Sequence, residues 1–310
     1  KEYEDCEAWD AAFDAFSFGA KAKRSTLTFD ETKEDAMFAA LMSIFSNDWA
    51  EKRPAGHDDP APIFVVGQPR TGTTLIERII TSHSTVESAG ELQQFGLSVH
   101  RLSKGSFKDR WTPEAIEASA DIDPASLGQE YLRASTPMRK NAARFVDKLP
   151  GNYLHVPLIL AALPNARIVH LTRDPMDSCF ASFKQLFAEA YHHSYDQAEM
   201  ARHHLRYARL MAHWREEFPG QFLDVSYEET VSDLEPNARR LIDFLGLDWE
   251  DQCLEFHTQK SAVATASAVQ VREKPHQRSV GRWRRYGDNL APMEAILRDA
   301  GHFQSFDSKT

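Results

Sequence analysis

Ile63–His83 reads IFVVGQPRTGTTLIERIITSH. The short apolar, β-branched run Ile63–Val66 predicts a strand, and the glycine-bearing GQPRTGTT (Gly67–Thr74) predicts a tight loop. LIERIITSH, after the loop, carries a helical pattern. This strand–loop–helix unit recurs more loosely downstream. Phe145-Val146 precedes Asp147-Lys148 and a helical pattern from Tyr153 to Leu163. RIVHL (Arg167–Leu171) precedes Thr172-Arg173 and a helix from Asp174, with Pro175 at its favoured first position. Gln221–Val225 precedes Ser226-Tyr227. Strands alternating with helices imply an α/β fold, with a P-loop-like parallel sheet flanked by helices on both faces. In such sheets ligands bind beyond the carboxyl ends of the strands. Arg70, Lys148, Arg173 and Tyr227 fall at those ends, and three of the four are cationic.

Outside this core the pattern is helical. WDAAFDAFSFGA within the first 20 residues and DAMFAALMSIF, in a stretch from Glu31 to Trp49, place apolar residues near helical spacing. Residues 1–52 are therefore expected to form a helical N-terminal extension. The polar, Pro-rich RPAGHDDPAP is a linker over 53–62, and the main α/β domain spans 63–310. Residues 195–217 and 236–245 predict further helices, whereas 261–288 show little regular pattern but many basic residues. The chain opens at Lys1 rather than Met, which fits a piece of a longer protein.

The 310 residues are 42% hydrophobic and 26% charged, which excludes a disordered, collagen-like or coiled-coil protein. Formal net charge is −10, so the chain is a poor general partner for nucleic acid or an anionic membrane, and an anionic ligand must be held by a local basic cluster. Cys6, Cys179 and Cys253 are scattered and odd in number. They suggest no disulfide framework and suit a reducing, cytoplasmic setting. No apolar run approaches the roughly 20 residues that a membrane helix needs. Oligomeric state is not legible.

The loop Gly67–Thr74 has a GxxxxG skeleton able to aim successive backbone N–H groups at an anion, with the helix N-terminus adding favourable partial charge. A nucleoside-triphosphate loop ends Gly-Lys-Ser/Thr, but here Gly72 is followed by Thr73 and Thr74. The cation stands earlier, at Arg70. The loop thus suits a compact anion met by one guanidinium and neutral donors. The plain alternative is an ordinary strand–helix turn.

PRTGTTL (Pro69–Leu75) resembles the 5′-phosphosulfate loop of sulfotransferases that use 3′-phosphoadenosine 5′-phosphosulfate (PAPS). RDPMDSCFASF (Arg173–Phe183) is similar to their 3′-phosphate segment, and QRSVGRW (Gln277–Trp283) to the stretch that closes over that phosphate. The three motifs stand in the family's order between about Pro62 and Tyr286. The resemblance leans toward the tyrosylprotein sulfotransferase branch and its bacterial relatives, many of which carry tetratricopeptide repeats ahead of this domain.

The resemblance implies a P-loop-like sulfotransferase moving a sulfuryl group from PAPS to a hydroxyl acceptor, leaving adenosine 3′,5′-bisphosphate and needing no metal. A peptide or protein tyrosine is one such acceptor, and a small alcohol, phenol or sugar is another. Glu91 in SAGEL falls where the family places its catalytic base, and Lys148 in VDKLPGN where it places a lysine facing the bridging oxygen. The bland readings are a helix N-terminal carboxylate for Glu91 and a surface pair with Asp147 for Lys148. Ser267 in TASAVQ aligns with a serine at the sulfate-bearing end. Arg70, Thr71, Gly72, Thr73 and Thr74 are assigned to the phosphosulfate, and Tyr227 to the adenine side. Arg173, Arg278, Gly281 and Arg282 are assigned to the 3′-phosphate, where guanidinium can donate paired bonds. The family's serine position holds Ala181 here, so its contact passes to Ser182, with Ser178 as the alternative.

His192-His193 and His203-His204 invite a metal reading. Helical spacing puts His193 and His204 on one face three turns apart, too far for one ion without other ligands. Two other function classes stay open: a P-loop kinase or NTPase, and a non-catalytic nucleotide-binding module of the same fold.

Overall fold

The computed structural model of the chain describes residues 1–105, 107–188, 190–259 and 273–302. Helices α1 (Glu2–Asp5), α2 (Trp9–Arg24), α3 (Glu31–Ile44) and α4 (Asn47–Glu51) precede the first strand, β1 (Pro62–Gly67). Then come α5 (Thr73–Thr81), β2 (Val86–Gly90), α6 (Gln94–Leu102), α7 (Pro113–Ala120) and α8 (Pro124–Ser135). β3 (Arg144–Asp147), α9 (Val156–Ala162), β4 (Arg167–Thr172), α10 (Pro175–Phe183) and α11 (Gln197–Glu217) follow. The order closes with β5 (Phe222–Ser226), α12 (Tyr227–Ser232), α13 (Leu234–Phe244) and α14 (Ala291–Asp299).

The five strands form one sheet in the order β2-β3-β1-β4-β5, with all neighbours parallel. Every residue of β1 is buried, as its apolar run requires of a central strand covered on both faces. Its side chains alternate between two environments, the period-two rule of a strand. Ile63 and Val65 join Ile76, Ile79, Val146, Val169 and Leu241 in one aliphatic core. Phe64 points the other way, into an aromatic group with Phe95 and Tyr131, and Tyr131 in turn meets Phe145. α5 and α13 thus cover one face, and α6 and α8 the other. Each such buried side chain contributes about 1.5–3 kcal/mol of transfer free energy.

The chain forms two compact units that do not follow chain order. One, the sheet unit, comprises Ala36–Thr172 and Leu210–Gln277 and contains all five strands. The other, the helical unit, comprises Lys1–Asp35, Arg173–Arg209 and Arg278–Thr310. Its core joins Ala12 and Ala20 of α2 to Met176 and Phe180 of α10, and to Trp283, Tyr286, Met293 and Leu297. The segment expected to be irregular thus ends in order: residues from Arg282 form a 3₁₀ stretch (Arg282–Leu290) and then α14.

Candidate active site

The phosphate-type loop lies in the sheet unit. Gly72 takes φ 101° as the N-cap of α5, and Arg70 is a non-glycine residue at φ 67°. Two constraints converge on Gly72. A side chain at that φ is strained, and a Cβ would lie 2.6 Å from Cδ2 of the Tyr227 ring. Tyr227, the first residue of α12, therefore packs directly on the loop. Ser226 holds that helix start, its hydroxyl accepting from Glu229 N at 3.2 Å. Thr73 and Thr74 are buried at the start of α5, and the Thr71 hydroxyl donates to Gln68 O at 2.8 Å. Gly72→Ala is expected to cost about 1–3 kcal/mol. Adding Tyr227→Ala should return the steric share and leave the backbone share; urea denaturation of both variants measures it, and a double variant no better than the single one would contradict the packing argument.

The carboxyl ends of β2, β3 and β1 are neighbours in the sheet, and they carry Glu91, Lys148 and this loop respectively. Glu91 emerges from a strand, not from the helix N-terminus considered above: β2 shifts register between Ser88 and Gly90, and Gly90 has φ 81°. Backbone bonds pin Glu91 on both sides. Lys148 N donates to Gly90 O at 2.8 Å, and Leu92 N donates to Asp147 Oδ1 at 3.3 Å. Lys148 Nζ then reaches Glu91 Oε1 at 2.5 Å. Lys148 is buried, its side chain 2% exposed, while that of Glu91 is 46% exposed. A surface pair between Lys148 and Asp147 is thereby overturned. Asp147 is fully buried and accepts from the Tyr131 hydroxyl at 3.0 Å. The arrangement can take a proton at the half-exposed carboxylate and hold a fixed positive charge beside it.

Burial pushes the Asp147 carboxyl up to about 7, although Tyr131 and Leu92 donate to it. The unfolded chain releases that proton near about 3.9. Asp147 therefore stabilises the fold fully below about pH 4, and the contribution is lost as pH rises toward about 7. Asp147→Asn cannot ionise and keeps an acceptor. Relative to wild type it is expected to gain roughly 1 kcal/mol per pH unit between about pH 4 and 7. Denaturant midpoints across that range check this, and parallel curves for the two proteins would refute it.

The helical unit carries the other assigned residues. Arg173 follows β4 by one residue, and its Nη2 donates to Ser279 O at 2.6 Å. Asp177 in α10 accepts from Gly281 N at 2.5 Å and Trp283 N at 3.2 Å, so one carboxylate fixes the turn 279–283. Burial raises the Asp177 carboxyl while the Arg173 charge lowers it. Ser178 and Ser182, one turn apart on α10, are both fully buried. Arg278 is exposed, and Arg282 is already ion-paired with Glu4 at 3.1 Å. Ser267 lies outside the described residues.

Residues 62–251 match the sulfotransferase family. The chain belongs to this family. A Caenorhabditis briggsae protein provisionally named as a protein-tyrosine sulfotransferase is 24% identical over 76% of this chain and 88% of its own length. An Aquifex aeolicus protein without an assigned function is 35% identical over 96% of this chain, which spans only 40% of that relative's length. The fold resembles the sulfotransferase domain of the Synechococcus PCC 7002 olefin synthase, with TM-score 0.55, 18% identity and coverage of 82% of this chain and 98% of that one. It also resembles the sulfotransferase domain of the curacin biosynthetic pathway, with TM-score 0.50, 16% identity and coverage of 81% and 99%. The family's reaction class is transfer of a sulfuryl group, carried on a parallel α/β sheet of the kind expected from Ile63–His83. No described helix is long and apolar enough to cross a membrane.

The histidines of this sulfotransferase-family chain pair differently from the expectation. α11 begins at Gln197, so His193 stands in a separate 3₁₀ turn (His192–Tyr195) and not on the helix of His204. It stacks instead on His203, with ring centroids 3.4 Å apart and planes at 11°. Glu34 joins them, 2.8 Å from His203 Nδ1 and 3.5 Å from His193 Nδ1. Its other oxygen takes Arg206 Nη1 at 3.0 Å. Glu34, His193 and His203 thus place one possible ligand atom each within 4.8 Å of one another, while the Arg206 guanidinium on the same carboxylate opposes a second cation. Burial lowers His193 to about 4, with the His203 charge adding to it. Burial would raise Glu34, but the two histidines outweigh it and hold the carboxyl well below its usual range.

Proposed function

We propose that this chain transfers the sulfuryl group of PAPS to a hydroxyl acceptor, with Glu91 as general base and Lys148 as the charge on the bridging oxygen. The observation that carries the reading is the Glu91–Lys148 pair at strand ends adjoining the Arg70 loop. A loop whose Gly72 leaves no room for a Cβ, followed by buried Thr73 and Thr74, fits a phosphosulfate cradled by backbone N–H groups. Arg70, Thr71, Gly72, Thr73 and Thr74 take that end, Ser267 supports it, and Tyr227 meets the adenine side. Arg173 takes the 3′-phosphate, with Ser182, Arg278, Gly281 and Arg282 around it. Arg282 must exchange Glu4 for phosphate to do so.

PAPS supplies an activated sulfuryl group on a phosphate leaving group. Glu91 accepts the acceptor's proton as the new O–S bond forms, and Lys148 neutralises the oxygen released from sulfur. An ordinary carboxylate cannot ionise a phenol of pKa about 10 in advance, so proton removal accompanies transfer. The C. briggsae relative supports a tyrosine hydroxyl in a peptide or protein as acceptor. A cytoplasmic setting belongs to the same reading and rests on the three scattered, free cysteines.

Thermal shift separates this reading from its rivals. Stabilisation by adenosine 3′,5′-bisphosphate without magnesium, together with transfer of labelled sulfate to tyrosine peptides or small phenols, is the expected result. Stabilisation only by ATP with magnesium would indicate a kinase or NTPase. Stabilisation by the bisphosphate with no transfer to any acceptor would indicate a binding module.

A further inference from the structure

Behind the Glu91–Lys148 pair lies a second carboxylate. Glu77, on α5, is 8% exposed, with Ile76, Ile79 and Ile80 and the equally buried Arg78 at neighbouring positions of the helix. A bare carboxylate in such a place is costly unless something holds its charge. Two things do. The Ser88 hydroxyl donates to Glu77 Oε1 at 2.5 Å, and the charge of Lys148 acts on it as well. Ser88 Oγ in turn accepts from Gly90 N at 3.1 Å. A continuous line therefore runs from Glu77 through Ser88 to Gly90, the residue whose positive φ throws Glu91 out of β2. The same Gly90 accepts from Lys148 N.

We propose that Glu77 is a positioning residue for the Glu91–Lys148 pair: through Ser88 it holds the turn from which Glu91 projects, and it supplies the negative charge that keeps the buried Lys148 ammonium in place when Glu91 turns to the acceptor. This inference rests on the roles given above to Glu91 and Lys148. Its physical basis is the asymmetry of the two carboxylates. Glu91 is half-exposed and can move into solvent or onto an acceptor, which leaves the buried Lys148 without that ion pair. Removing one partner of a buried pair leaves an uncompensated charge and destabilises that arrangement. Glu77 is anchored by a helix and a hydrogen bond and stays. The charged groups around Glu77 are Lys148, Arg78 and Glu91; burial holds its carboxyl above the usual range, with Glu91 adding to this and the two cations and Ser88 offsetting it in part.

The test compares Glu77→Gln, Glu77→Ala and Ser88→Ala in the full chain, using PAPS and a phenolic acceptor. Glu77→Gln keeps volume and the acceptor for Ser88 but removes the charge. It is expected to lower kcat about 10- to 100-fold with KM and adenosine 3′,5′-bisphosphate affinity within about threefold. Both limbs of its kcat/KM pH profile should move to lower pH, because the lost negative charge had favoured a proton on each neighbouring group. Ser88→Ala should lower kcat less and leave the limbs near their wild-type positions. If Glu77→Gln matches wild type in kcat and in both limbs, while Glu77→Ala is merely less stable, Glu77 is a packing residue and the proposal is overturned. If Glu77→Gln does not fold, Ser88→Ala with unchanged kcat overturns the positioning route. Lys148→Met and Glu91→Ala run alongside: retained turnover in those two would remove the catalytic reading itself, whereas their loss with a normal Glu77→Gln removes only this inference.

Discussion

Lys148→Met is expected to lower kcat by a factor on the order of 10² to 10³ while KM for PAPS stays within a few-fold of wild type. Methionine keeps most of the side chain's length and removes the charge. The effect should be large because Lys148 is 1% exposed, so its ammonium acts where water does not screen it. PAPS binding should change little because the charge being compensated, on the oxygen parting from sulfur, develops in the transition state and is smaller in the bound ground state, whereas the bisphosphate carries that oxygen fully charged and should bind more weakly. A wild-type unfolding midpoint is the control for folding. Steady-state assays with labelled sulfate, beside thermal unfolding of the two proteins, decide it. A variant losing affinity and turnover together would make Lys148 a ligand-binding residue; one with normal turnover would leave the leaving-oxygen role without a holder.

What could be read from the chain, and what could not, follows burial geometry. β1 announced itself because a central strand is apolar on both faces, so Ile63–Val66 carries no polar interruption. β2 passed unread because it is an edge strand: of VESAG only Val86 is buried, and the rest satisfies no strand pattern. Missing β2 had consequences at the site. It left a helix N-terminus open as the plain alternative for Glu91 and hid Glu77, whose partner Ser88 is eleven residues away on that strand. α7 and α8 are legible locally, since Thr112-Pro113 and Asp123-Pro124 each combine a capping side chain with a first-turn proline, although the sequence reading above does not include them. That signal was present and local. The stacking of His193 on His203 was not, since it depends on Tyr191 turning at φ 57° ahead of the 3₁₀ stretch, which no helical projection contains. Lys148 was placed at its strand end from sequence, but its partner was not: the choice between Asp147 and Glu91 is settled by Tyr131, a buried hydroxyl 16 residues earlier that claims Asp147.

Glu91→Ala should show the complementary loss, and one that depends on the acceptor. With a phenol of tyrosine-like acidity, pKa about 10, the proton must leave during transfer, and removing a positioned base is expected to lower kcat/KM on the order of 10²- to 10⁴-fold. With a more acidic phenol, largely ionised at the assay pH, there is no proton left for Glu91 to take. The defect of Glu91→Ala should then shrink toward wild type, whereas that of Lys148→Met should persist, since the oxygen leaving sulfur is the same in both reactions. The structure makes the separation physical. Glu91 is half-exposed, open to an incoming hydroxyl, while Lys148 is enclosed behind it. A plot of log kcat/KM against acceptor pKa for the three proteins is the measurement. The wild-type and Glu91→Ala lines should converge at low pKa and the Lys148→Met line should run parallel below wild type. A Glu91→Ala line parallel to wild type would mean that the carboxylate only holds Lys148, and the base would have to be sought elsewhere.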